Sequence, residues 1–280
     1  MIKQKRGFTL IELLVVIAII ALLMAVLMPA LNRAKKQART VACQAQLKQW
    51  GLIWSLYCDD NDGKFPVSEI KNASGGYLGW RRGTWIVALR PQWETRSDIL
   101  KCPMATKRLP TGVSWGGPFN TYVQGGGGVG DLREECSYGA SNWIFYPLPG
   151  QTRIQGRPTE WNWKTPHVRG GNEIPIMADT MWRGGGPFYQ NNDPYNNRIR
   201  PPEFDGQWLG YNREMMHFCI NRHNGFINHL FLDWTVRRVG LKELWTLKWH
   251  RQFNISGPWT TAGGVTLTDW PEWMRGFKDY

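Results

Sequence analysis

The 280-residue chain lacks the short motifs that most often announce catalysis. It has no GxxxxGK[ST] loop and no HExxH helix. Phosphate-loop and zincin chemistry therefore have no support. Cysteine is sparse and odd in number: Cys43, Cys58, Cys102, Cys136 and Cys219. No two of them form CxxC, and no His stands at zinc-ligand spacing from any of them. A structural zinc site is not expected on spacing, and neither a metal nor another cofactor is assigned. There is no internal repeat and no long run of Lys or Arg, although the formal charge is +12. That excess concerns solubility and association rather than fold. Acidic polymers remain conceivable partners, and nucleic acid is not expected.

What the chain does have is aromatic bulk and punctuation. Seventeen Trp, 31 Gly and 17 Pro in 280 residues describe a packed but loop-rich body. Gly-rich stretches at 125–130 and 183–187, and the Asn/Pro-rich stretch 190–203, read as long loops. Short runs between them at 84–89, 137–146 and 174–178 read as strands. The clearest β-signal is 225–239. There Phe226, Asn228, Leu230 and Leu232 alternate with Ile227, His229 and Phe231, and Asp233-Trp234 is placed as a two-residue hairpin turn. Antiparallel pairing of such closely spaced strands is the economical arrangement.

The N-terminus is of another character. After MIKQKRG, the run Phe8–Leu31 contains one charged residue, Glu12. Its 24 residues exceed the about 20 needed to span a bilayer as a helix. Lys3, Lys5 and Arg6 precede it, so the positive-inside bias keeps residues 1–7 cytoplasmic and sends the body across. Removing those three charges from +12 leaves +9. A secretory signal would end in a small-x-small cleavage site, for which LMPALNRA is a poor candidate.

Gly7, Phe8, Thr9, Leu10, Ile11 and Glu12, behind a basic leader, resemble the processing motif of type IV prepilins and type II secretion pseudopilins. Pro29 stands where many of these proteins carry a helix-kinking proline. The resemblance implies cleavage between Gly7 and Phe8 by a prepilin peptidase, with methylation of the new Phe8 amine. It implies an assembly role for Glu12, whose carboxylate pairs in the family with the Phe8 amine of a neighbouring subunit. A carboxylate near a membrane needs such a partner on physical grounds as well. It further implies other pilin-like subunits as partners through the N-terminal helix, and a single-pass inner-membrane protein with its head in the periplasm or outside. A pilus-like or type II secretion filament subunit, without enzymatic activity, is the expected function. A membrane-anchored, Trp-rich binder of polysaccharide or another acidic polymer is the alternative.

No proline interrupts residues 32–58, and two stripes run along them. Ala34, Ala38, Val41, Ala45, Leu52 and Leu56 make a small-residue face. Cys43, Leu47, Trp50, Trp54 and Tyr57 make a bulky one, expected under the body. The helix should stop at Asp59-Asp60-Asn61-Asp62-Gly63, a better reading of those acids than a calcium loop. The expected architecture is α+β and pilin-like: leader 1–7, a long helix 8–58 that is transmembrane over 8–31, and a loop-rich antiparallel head over 59–280. Cys43 and Cys58 on one helix lie ~22 Å apart and cannot pair. Cys102 with Cys136 is the first disulfide to consider.

In the body, His223 and Asp233 resemble the His-x9-Asp-Gly signature of a large pseudopilin-like family, with Trp234 in place of its Gly. Cys102-Pro103, and Ser137-Tyr138-Gly139 followed by Asn142, look similar to that family too. For His223 and Asp233 a hairpin-fixing role is expected, because no nucleophile or third ligand stands at recognisable spacing. His217, His223 and His229 share no helical face. Asp193 and Asp205 lie in loops, and no calcium site is assigned to them. Trp161, Trp163 and Trp182 stand near Gly- and Asn-rich loops, where exposed rings would stack on sugars; core packing is the expected use.

Overall fold

The computed structural model describes residues 9–70, 84–110, 112–124, 134–187, 199–210 and 213–280. Helix α1 spans Leu10–Asp60 and continues through Pro29. Two compact units divide the chain, one up to Arg39 and the other from Thr40 to Tyr280. In the first, every described side chain is exposed, including the long apolar run. By length and composition α1 is apolar enough to cross a membrane.

In the second unit the last five turns of α1 are amphipathic in the expected sense. Cys43, Leu47, Trp50, Ile53, Trp54 and Cys58 are buried, while Val41, Leu52 and Leu56 are exposed. Gly51 lets the helix approach the sheet: a Cβ there would stand 3.0 Å from Leu230 Cδ1. The helix ends as the turn formers suggest. The Asn61 and Gly63 amides donate to the Cys58 carbonyl, with Asp62 and Gly63 both at positive φ.

Against this helix segment the head builds one five-stranded sheet in the order β10-β9-β7-β4-β8. Its strands are β4 (Tyr138–Ser141), β7 (Pro175–Asp179), β8 (Gly184–Gly185), β9 (Phe226–Phe231) and β10 (Val236–Gly240). All pairings are antiparallel except β4 with β8. A smaller sheet joins β1 (Lys107–Arg108), β2 (Asn120–Gln124) and β3 (Glu134–Cys136). The ribbon of β5 (Arg153–Ile154) and β6 (Arg157–Pro158) stands alone.

Four expectations need correction. The stretch 183–187, read as a loop, supplies β8 at the edge of the main sheet, where Gly185 has no side chain to strike the Glu214 carbonyl. The run 84–89 is helical: α2 (Thr84–Ala88) leads into α3 (Arg90–Trp93). Trp85, Ile86, Leu89 and Trp93 are all buried, and their helical spacing puts them on one side, so packing overrides the β-preference of Ile and Val. The 225–239 hairpin exists, but its loop is wider than two residues. The pairing closes at Val236 with Leu230, and the Phe231 amide donates to the Thr235 carbonyl. Cys102 and Cys136 do not pair, and all five cysteines are free and buried. The Cys136 thiol meets the Tyr122 hydroxyl, whereas Cys102 faces His223.

Tryptophan fills this core. Trp50, Trp54, Trp85, Trp93, Trp143, Trp163, Trp182, Trp245, Trp249 and Trp270 are buried, and they meet largely edge-on, as with Trp50 and Trp85 at 5.3 Å and 84°.

Candidate functional site

Among the described residues, two places bring chemistry together. The first is the start of α1. Gly7 and Phe8, the expected cleavage and methylation positions, lie outside the described residues. Beyond them Thr9 caps the helix: Leu13 N donates to the Thr9 carbonyl. The Glu12 amide donates to Thr9 Oγ1 at 3.2 Å, and Thr9 N and Oγ1 both donate to Glu12 Oε2, at 2.8 and 2.7 Å. This is a capping box, in which a Thr and the acid three residues later satisfy one another's orphan groups. The Thr-x-x-Glu spacing was in the sequence, but the assembly reading of Glu12 left this local role unread. Both groups are exposed.

The second place is buried in the head. His223 precedes β9, Asp179 ends β7, Cys43 faces inward from α1, and Cys102 follows the 3-10 turn 94–100. His223 Nε2 stands 3.0 Å from Asp179 Oδ2 and 3.6 Å from Cys102 Sγ. The Cys43 thiol lies 3.5 and 3.6 Å from the two Asp179 oxygens. One ligand atom from each of the four residues falls within 4.8 Å of every other. Thr40 Oγ1 holds the far ring nitrogen, Nδ1, at 3.0 Å. The Tyr138 hydroxyl is 3.2 Å from Cys43 Sγ and 2.8 Å from Gln46 Oε1.

Arg222 sets the carboxylate in place. It is buried, and its three guanidinium nitrogens donate to the carbonyls of Pro118, Ser137, Gly117 and Thr180 as well as to Asp179 Oδ1 at 3.2 Å. The Asn228 amide donates to Asp179 Oδ2 at 2.9 Å. A charge this deep persists only when so fully bonded.

Burial alone would raise the Asp179 carboxyl. The charge and hydrogen bond of His223, then Arg222 and the Asn228 amide, hold it well below the usual range. Burial works against an imidazolium at His223 too, but Asp179 and Cys102 lift its pKa to about 9. The thiols diverge. Burial, Cys102 and Asp179 push Cys43 up. Cys102, although buried, is brought down to about 7 by hydrogen bonds from Cys43 and His223 and by Arg222.

His223 and Asp233, paired by the sequence signature, do not meet. Asp233 shapes the hairpin turn as expected, accepting from the Thr235 amide at 3.0 Å and the Thr235 hydroxyl at 2.6 Å. The carboxylate that His223 meets is that of Asp179, which the sequence did not single out. Trp234, in place of Gly, takes φ +64, a left-handed conformation that Gly adopts without cost. Of the other histidines, His217 bonds the Gly184 carbonyl at 2.8 Å. His229 is buried among Phe218, Phe231 and Trp249. Asp205 accepts the Asn221 amide at 2.9 Å, and Asp193 lies outside the described residues. Trp163 and Trp182 are buried, and Trp161 stacks on His250 at 5.0 Å.

Comparison with known proteins supports the first place alone. The model of the prokaryotic N-terminal methylation motif matches residues 2–28. No curated protein and no solved structure matches the chain.

Proposed function

We propose that this chain, a type IV prepilin-like protein by its N-terminal motif, is a subunit of a pilus-like or type II secretion-like filament without enzymatic activity. The observation that carries the reading is the methylation motif at residues 2–28, set on a helix whose apolar side chains from Leu10 to Leu31 are all exposed. Such a surface needs lipid before assembly and other helices after it. On this reading a prepilin peptidase cuts after Gly7 and methylates Phe8. The chain then sits in the inner membrane, its N-terminus cytoplasmic and its head on the far side. The exposed stripe of Val41, Ala45, Leu52 and Leu56 continues the lateral contact. Glu12 exchanges part of its capping box for the Phe8 amine of a neighbour. A charge pair at low dielectric outweighs a hydroxyl hydrogen bond.

Cross-linking tests this. A chain carrying both Val41→Cys and Leu52→Cys, in membranes of a host with a prepilin peptidase and treated with a bifunctional thiol cross-linker, should give a ladder of oligomers, since two exposed thiols per chain let the links propagate and the native thiols are buried. Glu12→Leu in the same background should abolish the ladder while the helix stays membrane-bound. Monomers alone from the doubly substituted chain would overturn the filament reading.

A further inference from the structure

Four segments far apart in sequence each deliver one metal-ligating atom to a single buried point: Cys43 from α1, Cys102, Asp179 from β7 and His223. Three of their six separations are close to the edges of a tetrahedron around a small dication, and all six fall within 4.8 Å. Zinc bonds to sulfur at about 2.3 Å and to nitrogen or oxygen at about 2.0–2.1 Å. Tetrahedral edges are then about 3.5 Å for sulfur to nitrogen or oxygen, and about 3.3 Å for nitrogen to oxygen. The corresponding separations are 3.6 Å for Cys102 to His223, 3.6 Å for Cys43 to Asp179 Oδ2, and 3.0 Å for His223 to the same oxygen.

The orientation of the imidazole separates this arrangement from a nucleophile–base–acid triad. A triad uses the two ring nitrogens in opposite directions, one for the nucleophile and one for the acid. Here Cys102 and Asp179 both meet Nε2, and Nδ1 is turned away to the Thr40 hydroxyl. Convergence on one nitrogen, with the other tied to a protein oxygen, is how a metal-binding His is held. The cluster is also closed to solvent, so no substrate reaches the sulfur. Charge balances as well. Two thiolates and a carboxylate face one dication and the buried Arg222 guanidinium, which leaves the pocket neutral.

We propose that Cys43, Cys102, Asp179 and His223 bind one zinc-class dication that clamps the inward half of α1 to the sheet. The ion takes the place of a disulfide in a chain whose cysteines are free. Its presence is independent of the filament reading, and processing at Phe8 does not report on it.

The test uses the full-length chain in detergent, loaded with zinc, passed over a weak chelator and analysed for metal. About one zinc per chain is expected, and cobalt in its place should give the visible bands of a tetrahedral thiolate site. Cys102→Ser and His223→Gln should lose the metal, whereas Cys58→Ser, buried elsewhere, should keep it. Should those two variants not fold by circular dichroism, Thr40→Val keeps all four ligands and should weaken zinc about 10–100-fold through loss of the Nδ1 partner. Stripping the native chain should lower its thermal midpoint, and zinc should restore it. A folded native chain that holds no zinc, with Cys43 and Cys102 titrating as thiols or joined as a disulfide, would overturn the proposal. Unchanged zinc in folded Cys102→Ser, or unchanged affinity in folded Thr40→Val, would do so equally.

Discussion

The N-terminal helix and the head follow opposite rules of solvation. From Leu10 to Leu31, Leu, Ile, Val and Met stand fully outside, with Leu10 at 83% and Val26 at 70% exposure. In the head Arg222, Asp179, His223, Glu214 and Lys242 are buried. Apolar surface outside needs a solvent other than water, and charge inside needs partners in full. The first condition makes the chain dependent on a membrane or on other copies. The second makes the head dependent on a few polar groups set by distant segments. The difference therefore predicts which substitutions each region tolerates.

The sharpest break is Arg222→Met. It strands Asp179 and four carbonyls, and should cost about 3–5 kcal/mol, read by denaturant unfolding of the solubilised chain. Acid gives the next effect. Burial pushes His229 and His250 down to about 3. Between the ordinary value near 6.5 and that value the unfolded chain binds protons that the folded chain refuses, so stability falls as pH falls through this window. Each contributes a loss of about 2 kcal/mol by pH 5. Because neither His229 nitrogen has a hydrogen-bond partner among the described residues, His229→Phe should resist acid better than the native chain.

In the helix the same kind of change reads out as membrane affinity. Ile20→Arg, near the middle of the apolar run, should cost about 2.5–3.5 kcal/mol of insertion, seen as chain released by alkaline washing, with head stability unaltered. At the hairpin, Trp234→Gly and Trp234→Ala both remove the ring, but only Ala keeps a Cβ at φ +64. The Gly variant should be the more stable by about 1 kcal/mol. Smallest is Leu52→Gln on the exposed stripe, within about 0.5 kcal/mol of native for the isolated chain.

Legibility divides along the same line. The helix was readable because its signals are local: an apolar run, a spacing of 3.6, turn formers at 59–63. Cys43, Leu47, Trp50 and Trp54 point inward as their spacing requires. The polar cluster was not readable as a unit, since Cys43 and Asp179 are 136 residues apart and Cys102 and His223 are 121 apart. The His223–Asp233 spacing invited a pair that geometry forbids. The six residues of β9 lie between them, roughly 20 Å of extended chain. Yet Cys102, Ser137, Tyr138 and His223, noticed singly in the sequence, all meet around this point. Asp179 alone carried no signal, being one acid at the end of an ordinary apolar strand.

The exposed helix finds its purpose in processing, and one mass measurement decides that. The full-length chain would be produced in a host with a prepilin peptidase and its N-terminal peptide weighed. The account predicts a peptide beginning at Phe8 with a methylated amine. An intact Met1, or an N-terminus created by cleavage after Ala30, would contradict it.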